Sequence, residues 1–281
     1  MKRTFKGCGT AMVTPFDPDL SVDETVLRRM VNWQIAQGID FLVPCGTTGE
    51  SPTLSHDEQR RVTEIVIEEA AGRVPVIAGT GSNATAEAVS LTQHAKEAGA
   101  DGCLVVTPYY NRPTQAGLLA HFRAIADVGL PVIVYNIPSR TGVDLLPPTL
   151  AELSEHPYIV GVKEATGKLD QMMTDIQLCG DRLTYLSGDD ALTLPLISIG
   201  GHGVISVISN PMPRETVDMV YAALDGNWAT ARRINYQLFP LVQALFVETN
   251  PIPVKVVMSM RGLMEPVYRP PLCAPFFWSK R

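Results

Sequence analysis

Short apolar runs rich in β-branched residues recur along the chain: GTAMVTPF at 9–16, DFLVPCG at 40–46, VPVIAGT at 74–80 and GCLVVTP at 102–108. They continue with PVIVYNIP at 131–138, YIVGVKEA at 158–165, LTYLSGDD at 183–190 and HGVISVISN at 202–210. Most are apolar on both faces, the pattern of strands in a parallel sheet covered on both sides. Between them lie amphipathic stretches such as DETVLRRMVNWQIAQG (23–38), HDEQRRVTEIVIEEAAG (56–72) and TAEAVSLTQHAKEAG (85–99), each closed by a glycine. Strand–helix units in unbroken series predict an α/β fold, a (β/α)8 TIM barrel over residues 1–224. An open doubly wound sheet would carry a G-x-G-x-x-G turn after its first strand, where this chain reads TPFDPD. Beyond residue 225 the strands stop. Segments 226–248 and 253–264 read as helices separated by the proline-bearing ETNPIPV, so 225–281 is expected to be a small helical appendage. The ending RPPLCAPFFWSKR has no helical period and predicts no element.

Composition changes this picture little. A length of 281 residues suits one large barrel plus an appendage, and 46% hydrophobic with 19% charged residues is ordinary for a globular chain. A formal charge of −6 and a pI near 5.4 argue against a nucleic-acid partner. An acidic total also leaves any anionic substrate to a few placed groups. Five cysteines without a CxxC pair, three of them (Cys8, Cys45, Cys103) in apolar runs, suit a reducing compartment. With no signal-peptide pattern and no apolar run long enough for a membrane, the expected location is cytoplasmic.

A (β/α)8 barrel keeps its active site at the C-terminal ends of its strands. That rule gathers Thr47 and Thr48, Tyr109 and Tyr110, Tyr135 with Arg140 just beyond, Lys163, Gly188, and Ser206 or its neighbours around one mouth. Lys163 is the strongest signal, an amine within the apolar strand YIVGVKEA. A buried, unpaired ammonium sheds its proton and becomes a nucleophile for carbonyls. The bland alternative, an ion pair with Glu164, is disfavoured because adjacent strand residues face opposite ways. Lys255, in NPIPVK, is the other lysine in apolar company, but it lies outside the barrel strands. Tyr135 ends the neighbouring strand and offers a phenol for proton transfer; a core tyrosine is its alternative reading. GTTGES (46–51) brings hydroxyls and backbone amides suited to a carboxylate, and it lacks the GK[ST] ending of a nucleotide loop. Arg140 can hold a second carboxylate, or sit on a surface loop. Asp189 and Asp190 read as turn or cap residues, and no histidine spacing suggests a metal.

Taken together, GTTGES, VIAGTGSNATAEA, TPYYNRPTQ, YNIPSRTG, GVKEATG, LSGDD, GGHGVISV and NPIPVK resemble the dihydrodipicolinate synthase / N-acetylneuraminate lyase family of barrel aldolases over residues 4–270. The resemblance implies a lyase of lysine and diaminopimelate biosynthesis without a separate cofactor. Lys163 would form a Schiff base with pyruvate, and Thr47 and Thr48 would hold its carboxylate. Tyr135, Thr47 and Tyr110 would relay protons, with Tyr110 supplied by a neighbouring subunit of a homodimer or homotetramer. Arg140 would hold the carboxylate of L-aspartate-4-semialdehyde, and the carbonyls of Gly188 and Ile205 would make further contacts. It also implies an L-lysine inhibition site at Ser51, His56, Asn83, Glu87 and Tyr109, with Asn83 and Glu87 expected on one helix face. Members continue with one more helix after a segment like VYRPPLCAP, whereas this chain reads on to PFFWSKR. Rival readings are a sialic acid or keto-deoxy sugar aldolase, which as a rule lacks Arg140, and a catalytically silent barrel, which would have lost the lysine, tyrosine or threonines. A phosphate-binding barrel fits least, since GGHG (200–203) precedes the eighth strand.

Overall fold

The computed structural model describes residues 4–275. The first half of the barrel runs β1 (Gly7–Ala11), α1 (Glu24–Ala36), β2 (Phe41–Val43), α2 (His56–Ala70), β3 (Ile77–Gly79), α3 (Thr85–Ala98), β4 (Gly102–Val106) and α4 (Gln115–Ala126). The second half runs β5 (Val132–Asn136), α5 (Pro138–Thr141), α6 (Pro147–Ser154), β6 (Ile159–Glu164), α7 (Leu169–Cys179), β7 (Thr184–Ser187), α8 (Thr193–Ser198), β8 (Gly203–Ser206) and α9 (Pro213–Leu224). Then come α10 (Trp228–Ala244) and α11 (Ile252–Met260).

All strand pairs are parallel, in the order β2-β1-β8-β7-β6-β5-β4-β3. The ring closes between its two ends: the Leu42 amide donates to Pro75 O (3.0 Å), and the Gly79 amide to Pro44 O (2.9 Å). The expected (β/α)8 barrel is therefore the observed fold. Strands are shorter than their apolar runs because the flanking residues turn into loops that pack on the barrel ends.

Each strand sends side chains alternately inward and toward the helices. Ala11, Val43, Ile77, Leu104, Ile133, Val160, Leu186 and Ile205, one from each strand, join one interior cluster, with Phe5 and Phe41 at its base. Alternate residues such as Val105, Val134 and Val162 pack against α3, α4 and α6 in an outer layer. The appendage is no separate body: Ile234, Leu238, Val242, Val254 and Met258 share the core of β1, α1 and α2. Pro240 lies inside α10 without ending it. Between Arg269 and Pro275 the chain is irregular, anchored by the Arg269 guanidinium on Glu58 (2.6 Å) and on Leu20 O (2.6 Å). The rest of the tail, 276–281, lies outside the described residues, as does any test of a further helix there.

Candidate active site

Lys163 points into the barrel because β6 carries one residue too many. The ladder pairs Val132 with Ile159 but Ile133 with Gly161, leaving Val160 as a bulge. Strict alternation from Ile159, which faces the helices, would have turned Lys163 outward too. With the bulge, Val160 and Lys163 both face inward, and Lys163 pairs across the ladder with Tyr135. Its Nζ lies 4.1 Å from the centroid of the Tyr135 ring. Glu164 faces the other way, as alternation requires, and accepts from Thr166 Oγ1 (3.0 Å) and Asn136 Nδ2 (3.4 Å).

The lysine is only 5% exposed, and among the described residues no carboxylate pairs with its amine. Burial brings its pKa down to about 7, while the nearby Asp190 carboxylate opposes the fall and the Arg140 guanidinium adds to it. Asp190 is itself buried, and its Oδ2 accepts the amides of Val207 and Ile208, each at 3.0 Å. Asp189 caps the following turn through Ala191 N (2.9 Å), so these two carboxylates do the turn and anchoring work read from sequence. Gly188 leaves the lysine its room: a Cβ there would stand 3.0 Å from Lys163 Cε and 2.9 Å from Ala165 Cβ. Burial pushes the Tyr135 phenol up to about 12, against the influence of Arg140 and a hydrogen bond with Thr47. It therefore holds its proton until a base draws on it.

The GTTGES loop follows β2 as a tight turn. Gly49 N donates to Gly46 O (3.0 Å) and Glu50 N to Thr47 O (3.1 Å), with Cys45 and Glu50 at positive φ. Gly79 lets β3 approach it, since a Cβ there would stand 2.1 Å from Cys45 O. Thr47 faces a cavity of about 200 Å³ shared with Tyr109, Ile137 and Arg140, and Thr48 is buried beside it. Arg140 sits on the single turn α5 and donates from Nη2 to Asn250 O at 3.1 Å. Ile205 is the inward residue of β8.

Of the expected site residues, Lys163, Tyr135, Thr47, Thr48, Arg140, Gly188 and Ile205 converge on the barrel mouth. Tyr110 does not: it is 90% exposed, held outward by a positive φ of 71°. Ser51, His56, Glu87 and Tyr109 gather instead around a neighbouring polar cavity of about 130 Å³. Asn83 is absent from that lining, and its carbonyl accepts from Asn111 Nδ2 (2.8 Å). The expectation that Asn83 and Glu87 share a helix face is corrected here. α3 begins only at Thr85, because Ser82 starts a turn whose hydroxyl accepts from Ala84 N (3.1 Å) and donates to Glu87 (2.7 Å). Among the described residues no group of three His, Cys, Asp or Glu side chains could hold a metal ion. No helix among them is long and apolar enough to cross a membrane.

Sequence reasoning missed Asn250, whose Nδ2 donates to Thr48 Oγ1 at 3.0 Å, and the ion pair between Glu50 and Lys255. Both side chains are fully buried; burial raises Glu50 and lowers Lys255, and each partner's charge opposes the other's shift. A clue was present for Lys255, an amine in an apolar segment that requires a partner, whereas Glu50 in the polar GTTGES gave none.

These features define a class first: a (β/α)8 barrel enzyme with a desolvated amine at its centre and hydroxyls, a phenol and a guanidinium around it. The dihydrodipicolinate synthetase family model matches residues 4–275. The 4-hydroxy-tetrahydrodipicolinate synthase of Nitratidesulfovibrio vulgaris (strain DP4) is 55% identical over 271 residues, 96% of this chain and 92% of that protein. The enzyme of the same name from Pelobacter propionicus is 53% identical over 269 residues, 95% of this chain and 92% of its own. Among solved structures, dihydrodipicolinate synthase from Aquifex aeolicus superimposes with a TM-score of 0.95 at 48% identity, covering 96% of this chain and 93% of the other. The chloride-inhibited dihydrodipicolinate synthase from Acinetobacter baumannii, complexed with pyruvate, gives 0.96 at 42% identity, covering 99% and 96%. That from Cyanidioschyzon merolae with lysine bound gives 0.93 at 42%, covering 96% and 93%. The chain belongs to the dihydrodipicolinate synthetase family, and it is a lyase.

Proposed function

We propose that the barrel mouth condenses pyruvate with L-aspartate-4-semialdehyde to 4-hydroxy-tetrahydrodipicolinate, a step of diaminopimelate and lysine biosynthesis in the cytoplasm. The observation that carries this reading is Lys163, its pKa brought down to about 7, against the Tyr135 ring, with Thr47 lining both the pocket beside Tyr135 and the cavity beside Arg140. Sequence relatives named for this activity support it over nearly the whole chain.

The neutral Lys163 amine adds to the ketone of pyruvate, whose carboxylate accepts from Thr47 and Thr48. The carbinolamine loses water once its hydroxyl is protonated, leaving an iminium. Tyr135, exchanging protons through Thr47, supplies and recovers that proton, and the buried Asp190 carboxylate offsets the iminium charge. Loss of a methyl proton gives the enamine, which attacks the aldehyde carbon of the second substrate, held through its carboxylate by Arg140. The substrate's own amine then displaces Lys163 from the imine, closing the ring and freeing the enzyme amine. No step calls for a metal or an organic cofactor. Tyr110 of a neighbouring subunit completes the proton path, which makes the working unit a homo-oligomer.

The cavity at Ser51, His56, Glu87 and Tyr109 suits an amino acid: Glu87 lies in the first turn of α3, with His56 Nε2 at 3.8 Å. L-Lysine is the proposed inhibitor there; the Cyanidioschyzon merolae relative was solved with lysine bound. Unchanged activity in saturating lysine would remove that part of the reading.

A sugar-cleaving lyase would use the same lysine and tyrosine but has no use for Arg140. Condensation of aspartate semialdehyde is therefore to be measured beside cleavage of sialic acid, in the parent and in Arg140→Ala. The expected result is a parent specific for the semialdehyde, and a variant whose KM for it rises about tenfold or more. Preference for sialic acid would contradict the assignment.

A further inference from the structure

Two groups that hold substrate carboxylates in the reading above touch the same residue. Asn250 lies in the segment entering α11, outside the barrel strands. Its side-chain amide donates to Thr48 Oγ1 (3.0 Å), and its backbone carbonyl accepts from Arg140 Nη2 (3.1 Å). We propose that Asn250 is a positioning residue for both substrates, its amide directing the Thr48 hydroxyl toward the keto acid and its carbonyl steering the Arg140 guanidinium. This rests on the pyruvate and semialdehyde reading.

The direction of the first bond carries the argument. A threonine hydroxyl has one hydrogen to give. When its oxygen already accepts from the Asn250 amide, that hydrogen is left to donate, and a carboxylate accepts only. Thr48 and Asn250 are both buried, so no bulk water competes for either group. The other end of the amide, Oδ1, is buried without a hydrogen-bond partner among the described residues. An unpaired buried carbonyl lowers stability, so fold stability alone gives little reason for an asparagine here. The segment is fixed at its far side by Lys255, one turn into α11, whose amine is paired with Glu50 of the carboxylate-binding loop. Thr48 and Glu50 thus anchor one short loop to one short segment at two points. A cavity of about 200 Å³ between Thr47, Arg140, Asn250 and Pro251 separates loop and segment. Arg140 spans its edge.

Substitution at Asn250 isolates the side chain, because it alters the amide bonded to Thr48 but leaves the carbonyl that holds Arg140. In Asn250→Asp a carboxylate would take the Thr48 hydrogen away from pyruvate and repel its charge. Steady-state kinetics with each substrate varied should show the pyruvate KM raised about tenfold or more, with the semialdehyde KM within about twofold. The amount of pyruvate trapped by borohydride at saturation should stay at the parent level, which separates misplacement from misfolding. Asn250→Ala should raise the pyruvate KM in the same sense by a smaller factor, and it decides the matter if the aspartate variant does not fold. An unchanged pyruvate KM, a fall in kcat alone, or failure of both variants to fold would overturn the proposal. If the parent enzyme itself traps no pyruvate, the underlying reading fails instead.

Discussion

With its pKa brought to about 7, the Lys163 amine is largely neutral at a pH where an ordinary lysine is almost wholly an ammonium. Only the neutral form attacks a carbonyl, so the sign of the pH dependence follows directly. Adduct formation with pyruvate should be slow in acid, climb about tenfold per pH unit well below neutrality, and level off above pH 7 or so. Stopped-flow measurement of adduct formation across that range checks it. An acid limb displaced toward the usual lysine value would show that the amine is solvated or ion-paired in the working enzyme. Tyr135 complements this behaviour, since a phenol held near 12 remains protonated throughout the range.

At the scale of elements, the bulge in β6 and the contact between the GTTGES loop and α11 decide where the chemistry stands. The series of strands and the placing of Lys163, Tyr135, Thr47, Thr48 and Arg140 at strand ends follow from apolar runs and the strand-end rule, and that much was legible in sequence. The reason Lys163 faces inward was not, because Val160 is an ordinary strand residue and only its partner strand reveals that it is unpaired. Asn83 misled for a related reason. A spacing of four suggests a helix face, but Ser82 turns the chain before the helix starts. Asn250 and the Glu50–Lys255 pair join segments 202 and 205 residues apart, a distance over which local pattern carries no information. The pair makes a sharp prediction of its own. Lys255→Met strands a buried carboxylate and should cost about 3–5 kcal/mol in a denaturant titration, with much of it restored in Glu50→Gln/Lys255→Met. A loss under about 1 kcal/mol in the single variant would mean that water reaches Glu50 when its partner is gone.

At the scale of the whole molecule, the outward Tyr110 bears on the proposed oligomer. Its side chain is 90% exposed, on backbone held at positive φ, and we place it, as proposed above, in a neighbour's site. Tyr110→Phe and Lys163→Ala, each nearly inactive alone, should regain about a quarter of parent activity when mixed under conditions of subunit exchange. That value follows if two-fold interfaces form at random and one site of each mixed dimer is intact. No recovery, despite mixed oligomers seen by native mass spectrometry, would place Tyr110 in its own subunit's chemistry or in none.

The proposed chemistry depends on one bond between this chain and its first substrate. The most direct test is to incubate the protein with pyruvate, reduce with borohydride, and locate the added mass by peptide mapping. The account predicts one reduced pyruvyl group per chain, on the peptide that carries Lys163, and none in Lys163→Ala. An adduct on Lys255 or another lysine, or no adduct at all, would contradict it.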